Sequence, residues 1–181
     1  SKTSKVVLSG VGGDEMFGGY PKYRALQIYQ EYKKFPKSLV KKFGGIFQKI
    51  PDSMSESIVK GKIFFDAWKE NPEDQYFDLI TYYKEKEKEK LLNFNTSLPS
   101  RRFIDELFLE SKKSNAESFF EKLFFVENMS YLPNNILEYT DKTSMAVSLE
   151  VREPLLDHKM AEFAANIPFS LKIKNGSMKN I

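Results

Sequence analysis

The run Ser9-Gly10-Val11-Gly12-Gly13-Asp14-Glu15 carries the densest chemistry in the sequence. Its three glycines let backbone N–H groups approach a ligand without side-chain obstruction. The two carboxylates that follow repel phosphate. They do suit Mg²⁺, a hard cation that takes oxygen ligands and bridges to phosphates. Read together, the run is the edge of a nucleotide or pyrophosphate site, with Asp14 and Glu15 as candidate metal ligands. The plainer reading is a glycine-rich turn after a strand, followed by an acidic surface pair. Glu15 is then a first-turn carboxylate favoured by a helix dipole. The run is not a Walker phosphate loop, because no lysine and hydroxyl follow the glycines at the required spacing. Nor is it a dinucleotide fingerprint, which needs G-x-G-x-x-G.

A second dense stretch opens Tyr131-Leu132-Pro133-Asn134-Asn135-Ile136-Leu137 and resumes at Asp141-Lys142-Thr143-Ser144-Met145-Ala146-Val147-Ser148-Leu149-Glu150-Val151-Arg152-Glu153-Pro154-Leu155-Leu156-Asp157-His158. Glu150 and Arg152 stand two apart. One reading is an ion pair that pins a loop. The other is a working pair, with a carboxylate near a reacting centre and a guanidinium gripping phosphate or carboxylate in two-pronged fashion. His158 follows an N-cap aspartate and reads as a first-turn residue rather than a base.

Holding these groups requires a strand and several helices. Val6 to Leu8 reads as a buried strand of the kind found inside parallel sheets. No second strand of that kind is evident, so its edge is expected to lack a neighbour in this chain. After Tyr20 the pattern turns helical. Pro21 opens a helix whose apolar positions are Tyr23, Leu26, Ile28, Tyr29 and Tyr32. Pro36 opens another through Leu39, Val40, Phe43 and Phe47, weakened by Gly44-Gly45. Ser53 with Glu56, and Ser114 with Glu117, have capping-box spacing. Asn71 and Pro72 start a helix carrying Tyr76, Phe77 and Ile80. The alternating charges from Lys84 to Lys90 read as a solvated helix face, with an interaction tail as the alternative. Pro99 opens a helix with Phe103, Leu107 and Phe108, and a further one carries Phe119 to Val126. Pro133 starts a short helix through Leu137. Asp141 to Pro154 lacks an amphipathic period and suits a loop or short helix lining a site. Asp157 caps a last helix with Met160, Phe163 and Ala164, ended by Pro168. The expected fold is a mostly α-helical chain with one short strand.

Composition excludes several classes. The 181 residues suffice for one domain with a core, and 41% hydrophobic with 29% charged residues is ordinary for a globular protein. A net charge of +3 is too mild to imply nucleic acid. Sixteen phenylalanines and nine tyrosines among lysines can form a stacking platform, but at helical spacing they read as core. With no cysteine there is no disulfide or thiolate, and a single histidine argues against zinc. No apolar run approaches the roughly 18 residues that span a bilayer, and no secretory pattern opens the chain. The expectation is a cytoplasmic protein with no nucleic-acid or membrane partner. A chain that starts on an apolar strand, enters its glycine site at once and stops at Lys179-Asn180-Ile181 reads as a piece of a longer parent.

Together and in this order, the two blocks resemble the synthetase domain of the glutamine-dependent asparagine synthetases. That family typically shows L-S-G-x-G-G-D-E-x-F-G-G-Y, then Y-L-P-x-x-I-L and D-x-x-S-M-A-x-S-L-E-x-R-x-P-x-L-D-H. The match is dense at both ends, while Ala25 to Asn128 match only in being helical. The resemblance implies that residues 1–181 are part of a larger α/β adenine-nucleotide synthetase domain of the PP-loop ATPase-like kind. It implies that aspartate takes adenylate from ATP in the presence of Mg²⁺, and that glutamine-derived ammonia then displaces AMP. Asp14 matches the family aspartate on Mg²⁺ and pyrophosphate. Ser9 and Gly10 match residues whose hydroxyl and backbone contact AMP, while Gly12 and Gly13 keep the loop open. Glu150 and Arg152 become the candidate catalytic pair. Asp141 and Lys142 meet the two ends of an aspartate substrate, or are helix-end charges. Lys179 is the candidate start of a cationic lid.

Val11 departs from the family pattern. Several members carry a carboxylate there that handles the nucleophile's proton; either another residue takes that role, Glu150 being one candidate, or ammonia needs no protein base, or the nucleophile differs. The resemblance further implies a glutaminase domain in the same parent chain, with an N-terminal cysteine nucleophile, and an upstream S-G-G-x-D-S pyrophosphate loop. This sequence contains neither, so the piece alone is expected to be inert and to bind ATP weakly or not at all. A homodimer is compatible with the resemblance. Three alternatives stay open: a related amidating enzyme acting on a sugar acid, a peptide or a β-amino acid; a noncatalytic helical interaction domain; and a helical nucleic-acid binder.

Overall fold

Val6–Leu8 forms the expected strand and in the computed structural model it has a partner, but it is exposed rather than buried, Leu8 at 75%. Residues 3–32, 37–51, 55, 57–58, 61–62, 69, 71–92, 100–174 and 177–179 are described. Their order is β1 (Val6–Leu8), α1 (Gly13–Phe17), α2 (Pro21–Tyr32), α3 (Lys37–Gln48), α4 (Pro72–Ile80), α5 (Glu85–Leu92), α6 (Ser100–Ser111) and α7 (Phe119–Met129). A π-helical turn (Leu132–Leu137) follows, then α8 (Glu138–Met145), β2 (Glu150–Arg152), a 3-10 turn (Pro154–Leu156), α9 (His158–Ala165), α10 (Phe169–Lys172), β3 (Ile173–Lys174) and β4 (Ser177–Met178). The chain divides into two units, residues 1–21 with 100–181 and residues 22–99.

The first unit carries both sequence blocks. β1 and β2 pair in parallel, Val6 opposite Glu150 and Leu8 opposite Arg152. β3 and β4 form a second, antiparallel pair. The expectation of one unpartnered strand is therefore corrected. Glu-Val-Arg has a single β-branched residue between two charges and is too short for a period-2 pattern to register. Asp141 to Pro154 is likewise more regular than its pattern suggests. It holds the end of α8, a turn with Ser148 at φ 54°, and β2.

One small core fixes α1. Met16 packs with Leu132 of the π-helical turn and Ala164 of α9, flanked by Phe17, Ile136, Leu156 and Ala161. Pro133 lies at the start of that turn, where its missing N–H removes an i→i−4 bond, and the wider π pattern sits next to it. α6 and α7 pack together and bury Ile104, Leu107, Phe108, Leu123, Phe124 and Val126. Phe103, expected inside, is 49% exposed. The aromatics serve as core: Phe120 stacks on Phe169 with centroids 3.7 Å apart, and Phe108 on Phe119 at 6.3 Å.

The capping box of α7 lies one turn later than Ser114 and Glu117. Ser118 Oγ accepts the Glu121 N–H at 3.2 Å, and Glu121 Oε2 accepts the N–H groups of Ser118 and Glu117 at 2.9 Å each. Ser114 instead closes the end of α6, donating to the Ser111 carbonyl at 2.6 Å. The Asp157 cap of α9 is as expected, accepting the Lys159 N–H at 3.0 Å.

In the second unit, α2 buries Tyr23, Leu26 and Tyr29, while α3 leaves Leu39, Phe43 and Ile46 exposed. Asn71 caps α4 by accepting the Glu73 N–H at 3.1 Å. Tyr29 donates its hydroxyl to the Lys69 carbonyl at 2.9 Å, and the Lys69 N–H donates to buried Gln75 Oε1 at the same distance. α5 is charged and largely exposed, as a solvated face should be. The proposed capping box at Ser53 and Glu56, with Pro36 and Pro99, lies outside the described residues. Among the described residues, no helix is long and apolar enough to cross a membrane.

Candidate functional site

The two blocks meet at the C-terminal end of β1. The Glu150 N–H donates to the Lys5 carbonyl at 2.8 Å, and the Ser9 N–H donates to the Arg152 carbonyl at 2.9 Å. The ladder therefore runs one residue past each end of β1. Ser9 then organises the loop, its Oγ accepting the Val11 N–H at 3.2 Å. The Gly13 N–H donates to the Gly10 carbonyl at 3.3 Å and closes the turn into α1.

Glycine is required here for two separate reasons. Gly12 sits at φ 90°, a left-handed conformation, and a Cβ there would lie 2.1 Å from Leu156 Cδ2. The 3-10 turn of the second block thus presses directly on the loop of the first. Gly10 faces the other way, with nothing within 4 Å of where its Cβ would stand. The loop has one packed side and one open side.

α1 turns its two carboxylates apart, as neighbours about 100° apart on a helix must be. Asp14 is half-buried and pairs with Lys179, Nζ to Oδ1 at 2.7 Å. Gly19 makes room for that pair, since a Cβ there would lie 1.7 Å from Asp14 Oδ1 and 2.4 Å from Lys179 Cε. Glu15 is only 1% exposed and accepts the hydroxyl of Tyr20. Burial and the Glu15 carboxylate hold the Tyr20 phenol well above its ordinary value, so it stays a donor. Tyr20 meets Tyr131 of the second block edge-on, centroids 5.8 Å apart. Of the two candidate metal ligands, Asp14 stays beside the loop and Glu15 turns inward to Tyr20. Among the described residues, no group of three or more acidic or histidine side chains forms a metal cage. Asp14 alone fits Mg²⁺, which binds through one or two carboxylates and completes its shell with phosphate and water.

Glu150 and Arg152 share one face of β2 and form an ion pair, Nε to Oε1 at 2.7 Å. Both side chains are exposed, so the pinning reading describes them as they stand. α8, next to β2, carries Asp141 and Lys142. Lys142 is bound one turn back to Glu138 at 2.5 Å, and that hydrogen bond raises the lysine and lowers the glutamate. Asp141 is exposed. His158 is exposed beside Asp157, Nδ1 to Oδ2 at 3.5 Å, as a first-turn residue would be.

Ser9, Gly10, Gly12, Gly13 and Asp14 thus form one edge, with the β2 backbone beneath and Lys179 alongside. Glu15 leaves that edge for the interior. Tyr20 as the partner of Glu15 was not foreseen, although a tyrosine closing a Gly-Gly turn was a usable signal. Lys179, read from the sequence as the candidate start of a cationic lid, stands against Asp14, a pairing that spacing alone does not show.

Comparison with known proteins gives one family. The Asparagine synthase family model matches residues 1–181. The chain is 33% identical over 175 residues to "Asparagine synthetase (glutamine-hydrolyzing) 1" of Bacillus subtilis (strain 168), covering 96% of this chain and 26% of that protein. It is 27% identical over 176 residues to "Asparagine synthetase (glutamine-hydrolyzing) 3" of the same organism, covering 97% and 22%. A third similarity, 25% over 202 aligned residues, is to "Amidase chyE" of Penicillium rubens, covering 94% and 27%. The chain therefore spans about a quarter of the length of these curated relatives. No solved structure matches it.

Proposed function

The chain belongs to the asparagine synthase family, and from that premise we propose that it forms one wall of the ATP site in a cytoplasmic enzyme that amidates aspartate with glutamine-derived ammonia. The observation that carries this reading is the interlock of the two blocks, with β1 ladder-bonded to β2 and Gly12 held against Leu156. A decayed interaction domain has no need to keep a loop packed on one side and open on the other.

The reaction runs in two steps. An oxygen of the aspartate β-carboxylate bonds to the α-phosphorus of ATP, and the bond to pyrophosphate breaks. Ammonia then attacks the acyl carbon, AMP leaves with that oxygen, and one proton is lost. Ser9 and the open side at Gly10 receive the adenylate, while Gly12 and Gly13 keep the loop clear. Asp14 holds Mg²⁺, which when bound offsets the charge of the leaving pyrophosphate. Lys179, 2.7 Å from Asp14, adds positive charge to the same phosphates. Arg152 engages Glu150 through Nε, so its terminal N–H groups stay available to a phosphate or carboxylate. Asp141 and Lys142 orient the aspartate. Glu150 takes the proton that Val11 cannot. Glu15 serves the fold, bound to Tyr20, rather than the metal.

The remainder of the ATP site and a glutaminase domain belong to the rest of the parent chain, which also sets any homodimer. The 181 residues alone are then inert and bind ATP weakly. Val11, with the similarity to a fungal amidase, favours one second reading: the same adenylation applied to another carboxylic acid.

The test follows AMP and pyrophosphate release by the full-length protein from ATP, Mg²⁺ and glutamine, with and without aspartate. Aspartate-dependent release with asparagine formed is the expected result. Glutamine hydrolysis without aspartate dependence would contradict aspartate as the substrate and support the second reading.

A further inference from the structure

A cavity of about 590 Å³ lies within the first unit, on the interior side of α1 and away from the glycine loop. Its walls come from α1, the turn before α7, α7 itself, α9 and α10. That volume falls in the range of small-molecule sites, roughly 300–1,000 Å³.

Two of the polar residues on its wall carry buried groups, Lys172 and Asn128. Lys172 is only 4% exposed and holds its ammonium 4.3 Å from the centroid of the Phe124 ring. Among the described residues, no carboxylate stands within ion-pair distance of it. Burial lowers its pKa to about 8, with Glu121 pulling weakly the other way. Buried cations are ordinarily paired, so this one lacks a counter-anion. Asn128 donates through Nδ2 to the Phe124 carbonyl at 2.7 Å, while its buried Oδ1 has no hydrogen-bond partner. A buried amide oxygen in that state lacks a donor.

The carboxylates that line the cavity are Glu15, Glu117 and Glu121. Tyr20 holds Glu15, and the capping N–H groups of α7 hold Glu121. With Lys172 the wall is net negative, which disfavours a plain anion. The rest of the lining is mainly apolar, including Phe124, Phe125, Ala161, Ile167 and Phe169.

We propose that this cavity is a binding site for a zwitterionic α-amino acid with an apolar side chain. Its carboxylate pairs with Lys172, its ammonium meets Glu117 and Glu121, and its side chain lies on the phenylalanine and alanine wall. The site is separate from the nucleotide edge, and the inference stands without the proposed reaction.

Calorimetric titration of the 181-residue protein with L-phenylalanine tests it, against 3-phenylpropanoate, which lacks the ammonium, and 2-phenylethylamine, which lacks the carboxylate. Saturable binding of phenylalanine is expected, with each truncated analogue at least about tenfold weaker. Lys172→Met should weaken phenylalanine by about the same factor while the circular dichroism spectrum is kept. Should that variant misfold, Ala165→Trp, at an exposed position of the wall, obstructs the cavity and should also abolish binding. No saturable binding up to about 10 mM phenylalanine, either analogue binding as well as phenylalanine, or undiminished binding by a folded variant overturns the proposal.

Discussion

At Gly12 the requirement is conformational and steric at once. The residue holds φ 90°, and any Cβ collides with Leu156, so Gly12→Ala must strain the backbone or expel the 3-10 turn. The expected cost is about 1–3 kcal/mol in urea unfolding, of the size found for left-handed non-glycine residues with poor surroundings. Gly10→Ala, placed in open space, should change stability by less than about 0.5 kcal/mol. If that variant lowers activity of the full-length protein while leaving stability intact, Gly10 faces the ligand. The glycine run was legible as a site, but the division of labour within it was not. Which glycine packs and which stays open depends on Leu155 and Leu156, far along the chain. The same holds for Asp14 and Glu15. Adjacent carboxylates look equivalent as letters, and only the helix and its core decide that one faces Lys179 and the other Tyr20.

α7 depends on its cap, and α7 carries much of the first unit's core. Ser118→Ala removes one half of the capping box and should cost about 1 kcal/mol. Ser114→Ala, which leaves α7's N-cap bond in place, should cost less. Glu121 gives the element a pH dependence. Hydrogen bonds from Ser118, then Glu117, hold its carboxyl below the ordinary 4.5. A lowered pKa contributes stability that is complete above that ordinary value and is lost as pH falls through the folded one. Urea midpoints should therefore drop between about pH 6 and about pH 3, and Glu121→Gln should flatten that drop. Most helices were readable because proline, asparagine and aspartate mark their starts with a local mechanism, as at Pro21, Asn71 and Asp157. The α7 cap was displaced because Ser114 and Ser118 each precede a glutamate by three residues, and spacing cannot choose between them. β2 was missed because a single β-branched residue between two charges carries no period. Its pairing is set by β1, a tertiary fact.

The molecule as a whole joins two blocks that sequence separates by most of the chain. Their packing makes one edge from Ser9, Gly10 and Asp14, with Lys179 beside it. The β1–β2 ladder and the contact of Gly12 with Leu156 explain why that edge holds its shape. The chain spans about a quarter of its relatives, so the chemistry is to be read in the full-length protein. The central claim is that this edge serves transfer of adenylate to a carboxylate. Aspartate labelled with ¹⁸O in its β-carboxylate tests it directly, through the mass of the nucleotide product. The account predicts AMP carrying one labelled oxygen, since the bond formed at the α-phosphorus is the one that leaves with AMP. Unlabelled AMP, or ADP with labelled inorganic phosphate, would contradict it.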